Sequence, residues 1–229
     1  MSDGVPLIVT RPEPGNAATR ARARSLGFDV HAMPLFAARP LRWTPPAAAD
    51  FDALLLTSAF AARLAGPGLA TLASLPAYAV GAATAEAARA AGLTVAMTGA
   101  ADAQRLLDEM TSPKIARILW LCGRDRTVLH TGDAALAPLP CYAVDPVDPP
   151  GQWRALIAVP AILLAHSARA AERIAVLAGT ARAHLSLVAI SAAVAAAAGQ
   201  GWRALAVAAE ANDAAMLAQA RALWHKGAK

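Results

Sequence analysis

Two serines follow buried strands at points where open α/β sheets bind ligands. Ser58 comes after the apolar run 53–56, and Ser167 comes after the apolar run 162–165. Ligands of such sheets bind at the carboxyl ends of the strands, so either hydroxyl could donate a hydrogen bond to a substrate. Each serine could instead cap the helix that follows, a position that favours Ser. Neither lies in a G-x-S-x-G elbow, and only Ser167 has a histidine, His166, beside it, so a serine hydrolase is not favoured.

A glycine turn of the same kind follows another strand. Gly81 separates the strand-like run 77–80 from an alanine-rich segment, and Thr84 lies in the first turn of the helix expected there. Backbone N–H groups at a helix start attract anions, and the Thr84 hydroxyl could bind the same ligand. A plain helix start explains the turn equally well, since the sequence contains no G-x-G-x-x-G motif.

Arginines at two strand ends could hold an anionic group. Gly123 and Arg124 follow the apolar run 119–122, and Arg11 ends the first strand. A guanidinium binds a carboxylate through two parallel hydrogen bonds; the alternative at Arg124 is a solvated Arg-Asp-Arg turn. Tyr142 lies in a proline-bounded segment, where it could border a cleft between domains or be an edge-strand aromatic residue.

The composition excludes several other classes of protein. The chain has 229 residues, 57% of them hydrophobic and 16% charged, so it can bury a core and is not disordered. No apolar run reaches the roughly 18 residues of a membrane span, and we expect a soluble protein. The first six residues lack the basic and apolar regions of a signal peptide, which favours the cytoplasm. Two cysteines without metal spacing, and no Walker loop or paired carboxylates, predict no metal or cofactor.

The alternation of apolar runs with alanine-rich segments predicts parallel sheets flanked by helices. The first unit runs from a strand at 6–10 through a helix at 16–26, capped by Asn16, to a strand at 28–33. An internal repeat relates 52–64 to 162–173, each a buried strand ending near Ser and leading into a helix, and their second strands end at 81 and 191. Two copies of this size predict two similar α/β domains.

Proline-bounded segments mark the joints between these domains. Residues 36–41 and 139–147 are short, extended and bounded by prolines. We expect them to be linker strands lying side by side as a two-stranded antiparallel ladder. Domain 1 is then discontinuous, made of residues 1–35 and 148–229, and domain 2 spans 42–138.

In this order the motifs resemble those of the uroporphyrinogen-III synthase family over essentially the whole chain. The residues that carry the resemblance are Val9-Thr10-Arg11-Pro12, Pro34-Leu35, Leu56-Thr57-Ser58-Ala59, Ala79-Val80-Gly81-Ala82-Ala83-Thr84-Ala85, Leu121-Cys122-Gly123-Arg124, Tyr142, His166-Ser167-Ala168, Ala189-Ile190-Ser191 and Gly201-Trp202. The resemblance implies two α/β domains with a cleft that binds hydroxymethylbilane, a linear tetrapyrrole carrying an acetate and a propionate on each ring. Such an enzyme removes the hydroxyl as water, inverts ring D through a spiro intermediate and closes uroporphyrinogen III without a cofactor.

The resemblance also implies roles for the candidate residues. Tyr142 would assist departure of the hydroxyl as water. Hydroxyl and backbone donors would hold the carboxylates together with two arginines, and this set comprises Ser58, Gly81, Thr84, Gly123, Ser167, Ser191, Arg11 and Arg124. The chain departs from the family at Phe60, where polar residues are common, and at Val194, where Thr is common, which puts individual carboxylate contacts in doubt.

The resemblance further implies a cytoplasmic monomer that binds neither nucleic acid nor membrane and that could touch hydroxymethylbilane synthase transiently. The net charge of +5, nearly all from arginine, then fits a polycarboxylate ligand, although it does not require one. Two alternatives stay open: a non-catalytic module of the same fold that binds an anionic ligand, and a generic flavodoxin-like or sugar-binding pair of domains.

Overall fold

The structure is a computed structural model that describes residues 5–100, 102–110 and 115–227. The first four residues, on which part of the expectation about a signal peptide rests, lie outside the described residues. The described residues form two compact units by their internal contacts: residues up to Ala37 together with those from Pro146 onwards, and residues Ala38–Asp145.

Strands and helices alternate along most of the chain, as the pattern of apolar runs predicts. The strands are β1 (Leu7–Val9), β2 (Val30–Ala32), β3 (Phe36–Pro40), β4 (Ala53–Leu56), β5 (Ala77–Val80), β6 (Val95–Gly99), β7 (Arg117–Gly123), β8 (Ala135–Pro146), β9 (Ile162–Ala165), β10 (Ser186–Ala189) and β11 (Ala204–Val207). The helices are α1 (Gly15–Ser25), α2 (Ala59–Leu64), α3 (Ala82–Ala90), α4 (Ala103–Met110), α5 (Trp153–Ile157), α6 (Ala168–Ala178), α7 (Ala192–Ala198) and α8 (Asp213–Gly227). Short 3-10 helices span Ala48–Asp50, Pro67–Leu72 and Gly179–His184.

The first unit is built on a five-stranded parallel sheet in the order β11-β10-β9-β1-β2. Its central strands are short and apolar because helices cover both of their faces. Every residue of β1 and β9 is buried, and their register pairs Leu7 with Ile162. Helix α8 packs Met216 and Leu217 against this core.

The second unit is built on a six-stranded sheet in the order β3-β8-β7-β4-β5-β6. This sheet is mixed, and its pairs β8–β7, β7–β4, β4–β5 and β5–β6 are all parallel, as the sequence predicts for this part of the chain. The central strand β4 is fully buried and pairs in parallel with β5 and β7. Helices α2 and α3 cover one face of the sheet, with Leu54 and Leu56, and α4 covers the other, with Leu55.

The repeated strand–serine–helix segments have the same local structure in both units. Ser58 precedes α2 with φ −155° and ψ 141°, and Ser167 precedes α6 with φ −158° and ψ 159°. The extended backbone of each serine turns its hydroxyl back to accept a hydrogen bond from the helix, which is the N-cap arrangement.

The predicted cap of the first helix is wrong. Helix α1 begins at Gly15, and the residue that precedes it is Pro14, which has no capping side chain. Asn16 lies inside the helix, fully buried, and its Nδ2 donates to the carbonyl oxygens of Val9 at 2.9 Å and Arg11 at 3.0 Å. Carbonyls at the buried end of β1 need a donor, and this need, rather than the helix terminus, places the asparagine.

Within the described residues, no helix combines the length and the apolar character needed to cross a membrane.

Candidate functional site

In the second unit, the candidate residues lie at the carboxyl edge of neighbouring strands. The sheet order β8-β7-β4-β5 brings Tyr142, Gly123, Ser58 and Gly81 to consecutive positions along that edge. Tyr142 of β8 pairs in register with Gly123 of β7, and the Arg124 N–H donates to the Tyr142 carbonyl at 2.9 Å. The sheet therefore brings together residues that are far apart in the chain.

The Tyr142 ring fills a space that only glycine leaves open. A Cβ on Gly123 would lie 3.0 Å from Cζ and 3.1 Å from the hydroxyl of Tyr142, closer than ordinary van der Waals contact. On another side, the Phe60 ring lies with its centroid 5.7 Å from that of Tyr142, in a tilted arrangement typical of aromatic pairs. The Phe60 ring thus covers one side of the Tyr142 ring.

Burial raises the pKa of the Tyr142 phenol above its usual value, and a hydrogen bond with the Ser58 side chain opposes this shift in part. Only 8% of the residue is exposed to solvent. The phenol therefore keeps its proton at neutral pH and can act as a hydrogen-bond or proton donor. Of the candidate residues in this unit, the hydrogen-bonded pair Tyr142 and Ser58 is the best suited to take part in a reaction.

Two other residues of this unit that the sequence predicts to bind a ligand, Gly81 and Thr84, present few side-chain groups to one. Gly81 has φ +76°, a left-handed conformation that glycine adopts without strain, and it precedes α3 without a capping side chain. Thr84 lies in the first turn of α3 and is nearly buried, with 5% of its surface exposed. Its N–H donates to the Gly81 carbonyl, so the turn presents backbone more than side chain.

Arg124 does not stand free at its strand end. Its Nη2 lies 2.6 Å from Asp145 and 3.2 Å from Asp125, and Asp145 also binds Arg39 at 2.6 Å. The hydrogen bonds that the Arg124 side chain donates to Asp125 and Asp145 raise its pKa. An open cavity of about 400 Å³ adjoins this network, lined in part by Trp120, Arg124 and Arg126. A substrate carboxylate at Arg124 would compete with these aspartates.

In the first unit, the predicted serines cap helices. Ser167 accepts a hydrogen bond from the Ala170 N–H at 3.2 Å, and Ser191 accepts one from Val194 at 3.4 Å. Val194 is 6% exposed and part of the core. A serine hydroxyl that accepts such a bond keeps its own proton to donate, so capping and ligand binding are compatible.

Replacing Ser58, Ser167 or Ser191 singly with alanine is expected to lower the free energy of unfolding by about 1 kcal/mol, because each helix loses its cap. Turnover should fall less than about tenfold, since one hydroxyl among many donors is lost. Urea denaturation and initial rates measure the two effects. Ser74→Ala, at an exposed turn, is the control; a serine variant as stable as this control would contradict the capping role.

A buried polar cluster surrounds Arg11 at the carboxyl edge of the first unit's sheet. The Arg11 Nη1 lies 3.1 Å from Oδ1 of Asp213 and 3.4 Å from the Thr19 hydroxyl. Asp213 Oδ2 accepts a 2.7 Å hydrogen bond from Thr19, and Oδ1 lies 3.0 Å from Nε2 of His166. Arg22 lies farther out, 3.6 Å from Asp213. Arg11 is thus held by an internal carboxylate.

This cluster sets the charge states of its members. Burial lowers the pKa of His166, and the Asp213 hydrogen bond opposes this only in part. For Asp213, burial acts to raise the pKa, but hydrogen bonds from His166 and Thr19 and the charge of Arg11 together lower it to about 2. An ionised carboxylate only accepts hydrogen bonds, so His166 donates through Nε2; its Nδ1 is buried and has no partner among the described residues.

Sequence reasoning missed three members of this cluster. Thr19, His166 and Asp213 are separated by long stretches of chain, and His166 was considered only beside Ser167 and within the motif 166–168, never as a site residue. No local motif joins them. The one available signal is that Asp213 opens a helix directly after Asn212, which caps it through the Ala215 N–H.

The described residues include no group of three or more His, Cys, Asp or Glu side chains that could hold a metal ion. Burial raises the pKa of Cys122 to about 11 and that of Cys141 to about 12. Both are therefore thiols at neutral pH.

Comparisons with known proteins agree with the resemblance read from the motifs. The sequence model of the HEM4 family, described as uroporphyrinogen-III synthase HemD, matches residues 17–218. Among solved structures, uroporphyrinogen-III synthetase from Helicobacter pylori 26695 is similar, with a TM-score of 0.66 and 17% identity over 96% of this chain and 99% of that one. A mutant uroporphyrinogen III synthase from the extremely thermophilic bacterium Thermus thermophilus gives a TM-score of 0.57 and 20% identity over 96% and 98%.

No curated protein sequence matches the chain significantly. The structural likenesses concern the fold, and the family match spans most of the chain. This α/β chain, with candidate residues at the carboxyl edges of both sheets, belongs to the uroporphyrinogen-III synthase family.

Proposed function

We propose that this chain performs the reaction of its family, a cyclising lyase of heme biosynthesis, and converts hydroxymethylbilane to uroporphyrinogen III. The family match over residues 17–218 carries this proposal. The reaction removes the hydroxyl of the linear tetrapyrrole as water, inverts ring D through a spiro intermediate and closes the macrocycle.

Tyr142 is the catalytic residue of this proposal. Loss of water from the substrate needs a proton for the departing oxygen, and the resulting azafulvene is electrophilic without further activation. The Tyr142 phenol carries its proton at neutral pH, and the hydrogen bond with Ser58 orients the hydroxyl. The phenol thus supplies a hydrogen bond, or the proton itself, to the leaving water.

Carboxylate binding is assigned to groups at the strand ends of both units. Arg11 and Arg124 supply charge, Ser58, Thr84, Ser167 and Ser191 supply hydroxyl donors, and Gly81 and Gly123 supply backbone at close approach. Holding the flexible substrate in one conformation decides which carbon attacks, and such orientation can lower the activation barrier by several kcal/mol. The excess of arginine over acidic residues supports this assignment.

The two compact units correspond, in this proposal, to two domains joined by residues 36–41 and 139–147 as a two-stranded antiparallel linker. Domain 1 is made of residues 1–35 and 148–229, and domain 2 of 42–138. Two observations support it: β3 and β8 are neighbours in the six-stranded sheet, and the chain passes between the units after Ala37 and after Asp145. We further assign a cytoplasmic monomer that needs no metal or organic cofactor and that meets hydroxymethylbilane synthase transiently.

A coupled assay tests the function. Porphobilinogen and hydroxymethylbilane synthase generate the substrate, and chromatography of the oxidised products separates isomer I from isomer III. With this chain present, isomer III should dominate. Isomer I alone, formed at the uncatalysed rate, would favour the non-catalytic binding module instead.

A further inference from the structure

The guanidinium of Arg11 has two edges with different environments. Its Nη1 is bound to Asp213 and Thr19. Its Nε and Nη2 make no hydrogen bond within the described residues, and a third of the side chain is exposed. Nε and Nη2 form the pair of parallel donors that binds a carboxylate in two-point fashion. One edge is therefore anchored, and the other remains available to a ligand.

Because Gly15 has no side chain, it leaves space for the Nε–Nη2 edge of the Arg11 guanidinium. A Cβ at this position would lie 2.5 Å from Nε, 2.7 Å from Cζ and 2.8 Å from Nη2 of Arg11. The guanidinium thus occupies the space that a side chain on the first residue of α1 would take. Glu13, an acidic neighbour in sequence, is engaged with Arg20 and the Ala17 N–H. The partial positive charge at the start of α1 adds to that of Arg11.

Asp213 holds the Nη1 edge of the Arg11 guanidinium in place. Only 8% of its side chain is exposed, and its two oxygens together bind Arg11, Thr19 and His166. Thr19 lies in α1, and His166 directly follows β9. The Asp213 carboxylate is therefore held by residues of two other elements, independently of its contact with Arg11. A guanidinium anchored to such a carboxylate loses most of its rotational freedom, which lowers the entropic cost of binding a second carboxylate.

We propose that Asp213 and Gly15 are positioning residues, which fix Arg11 so that its Nε–Nη2 edge binds a carboxylate of the substrate. This inference rests on the proposed function, in which Arg11 supplies charge to the polycarboxylate tetrapyrrole. It adds that Arg11 acts through one edge only, and that its partner Asp213 orients it and does not compete for the substrate.

The first test is Gly15→Ala. Alanine favours a helix more than glycine does, so α1 is not weakened, but its Cβ displaces the guanidinium. We expect the KM for hydroxymethylbilane to rise about tenfold, the loss of one charge-assisted interaction, with kcat changed less than about twofold, since an interaction of the bound substrate is lost. Gly151→Ala is the matched control, because no atom lies within 4 Å of its added Cβ; its KM should equal that of the wild type.

Asp213→Asn and Arg11→Ala complete the test. Each should raise KM to a similar extent, and Gly15→Ala or Asp213→Asn should add little further increase in an Arg11→Ala background, because the group that they position is gone. A wild-type KM for Gly15→Ala, or a rise in KM that persists undiminished without Arg11, overturns the inference. Failure of the proposed function is distinct: the wild-type chain itself would then form no uroporphyrinogen III.

Discussion

Tyr142→Phe is expected to lower kcat about 100-fold, with little change in KM, because the variant keeps the ring and loses only the hydroxyl. Positioned proton donors contribute at least this factor when they act on a leaving group. The ring would still fill the space above Gly123 and contact Phe60. The fold should therefore survive, and the loss should appear in the chemical step.

The measurement is the initial rate of uroporphyrinogen III formation over a range of substrate concentrations. Tyr78→Phe is the matched control, since the chain has two tyrosines and Tyr78 packs against the α4 face of the same sheet. Its kinetics should be those of the wild type. Full turnover by Tyr142→Phe would remove the phenol from the mechanism and leave substrate folding as the main contribution of the protein.

Asp213 is expected to make the stability of the chain fall in acid. Its pKa is about 2 in the folded state and 3.8 without interactions. A depressed carboxyl pKa stabilises the fold above pH 4, and this stability is lost as the pH falls from about 4 to about 2. The contribution is about 2 kcal/mol at pH 7 and about half of that at pH 3. His166 acts in the same direction at higher pH, because its lowered pKa keeps it neutral in the fold and protonation below its ordinary value of 6.5 favours unfolding.

Urea denaturation of the wild type and of Asp213→Asn between pH 7 and pH 3 measures this contribution. The variant should be less stable at pH 7, and the gap between the two should narrow by about 1 kcal/mol toward pH 3. Asp148→Asn, which changes an exposed aspartate, is the control and should follow the wild type. A gap that stays constant with pH would show that Asp213 carries no depressed pKa.

The elements follow from local patterns in the chain. Strands such as β4 and β9 are uninterrupted apolar runs, because parallel strands are buried on both faces. The helices between them are rich in alanine, the best helix former. The repeat places Ser58 and Ser167 at equivalent helix starts, and the structure gives them equivalent conformations. Periodicity could not predict the burial of Asn16, because its partner carbonyls belong to a neighbouring element.

In the candidate site, too, the sequence could predict some features and not others. The residues at strand ends could be named in advance, because the carboxyl edge of a sheet is reached wherever a buried strand stops. The side chains that these residues contact could not be named in advance. The pairing of Arg124 with Asp145 and the contact of Tyr142 with Ser58 and Gly123 depend on β8 lying beside β7 and β7 beside β4.

The sequence by itself determined that this chain alternates strands and helices and repeats one α/β motif, because burial and local propensity produce patterns within short windows. The order of its motifs, rather than any periodicity, carries the resemblance to the uroporphyrinogen-III synthases, with which the family match agrees. Only the tertiary structure decided which charges are engaged. Arg11 and Asp213 are 202 residues apart and meet because the order of strands in the sheet brings the start of α8 to the end of β1. Side-chain pairing across elements depends on that order, and no periodicity within one element encodes it.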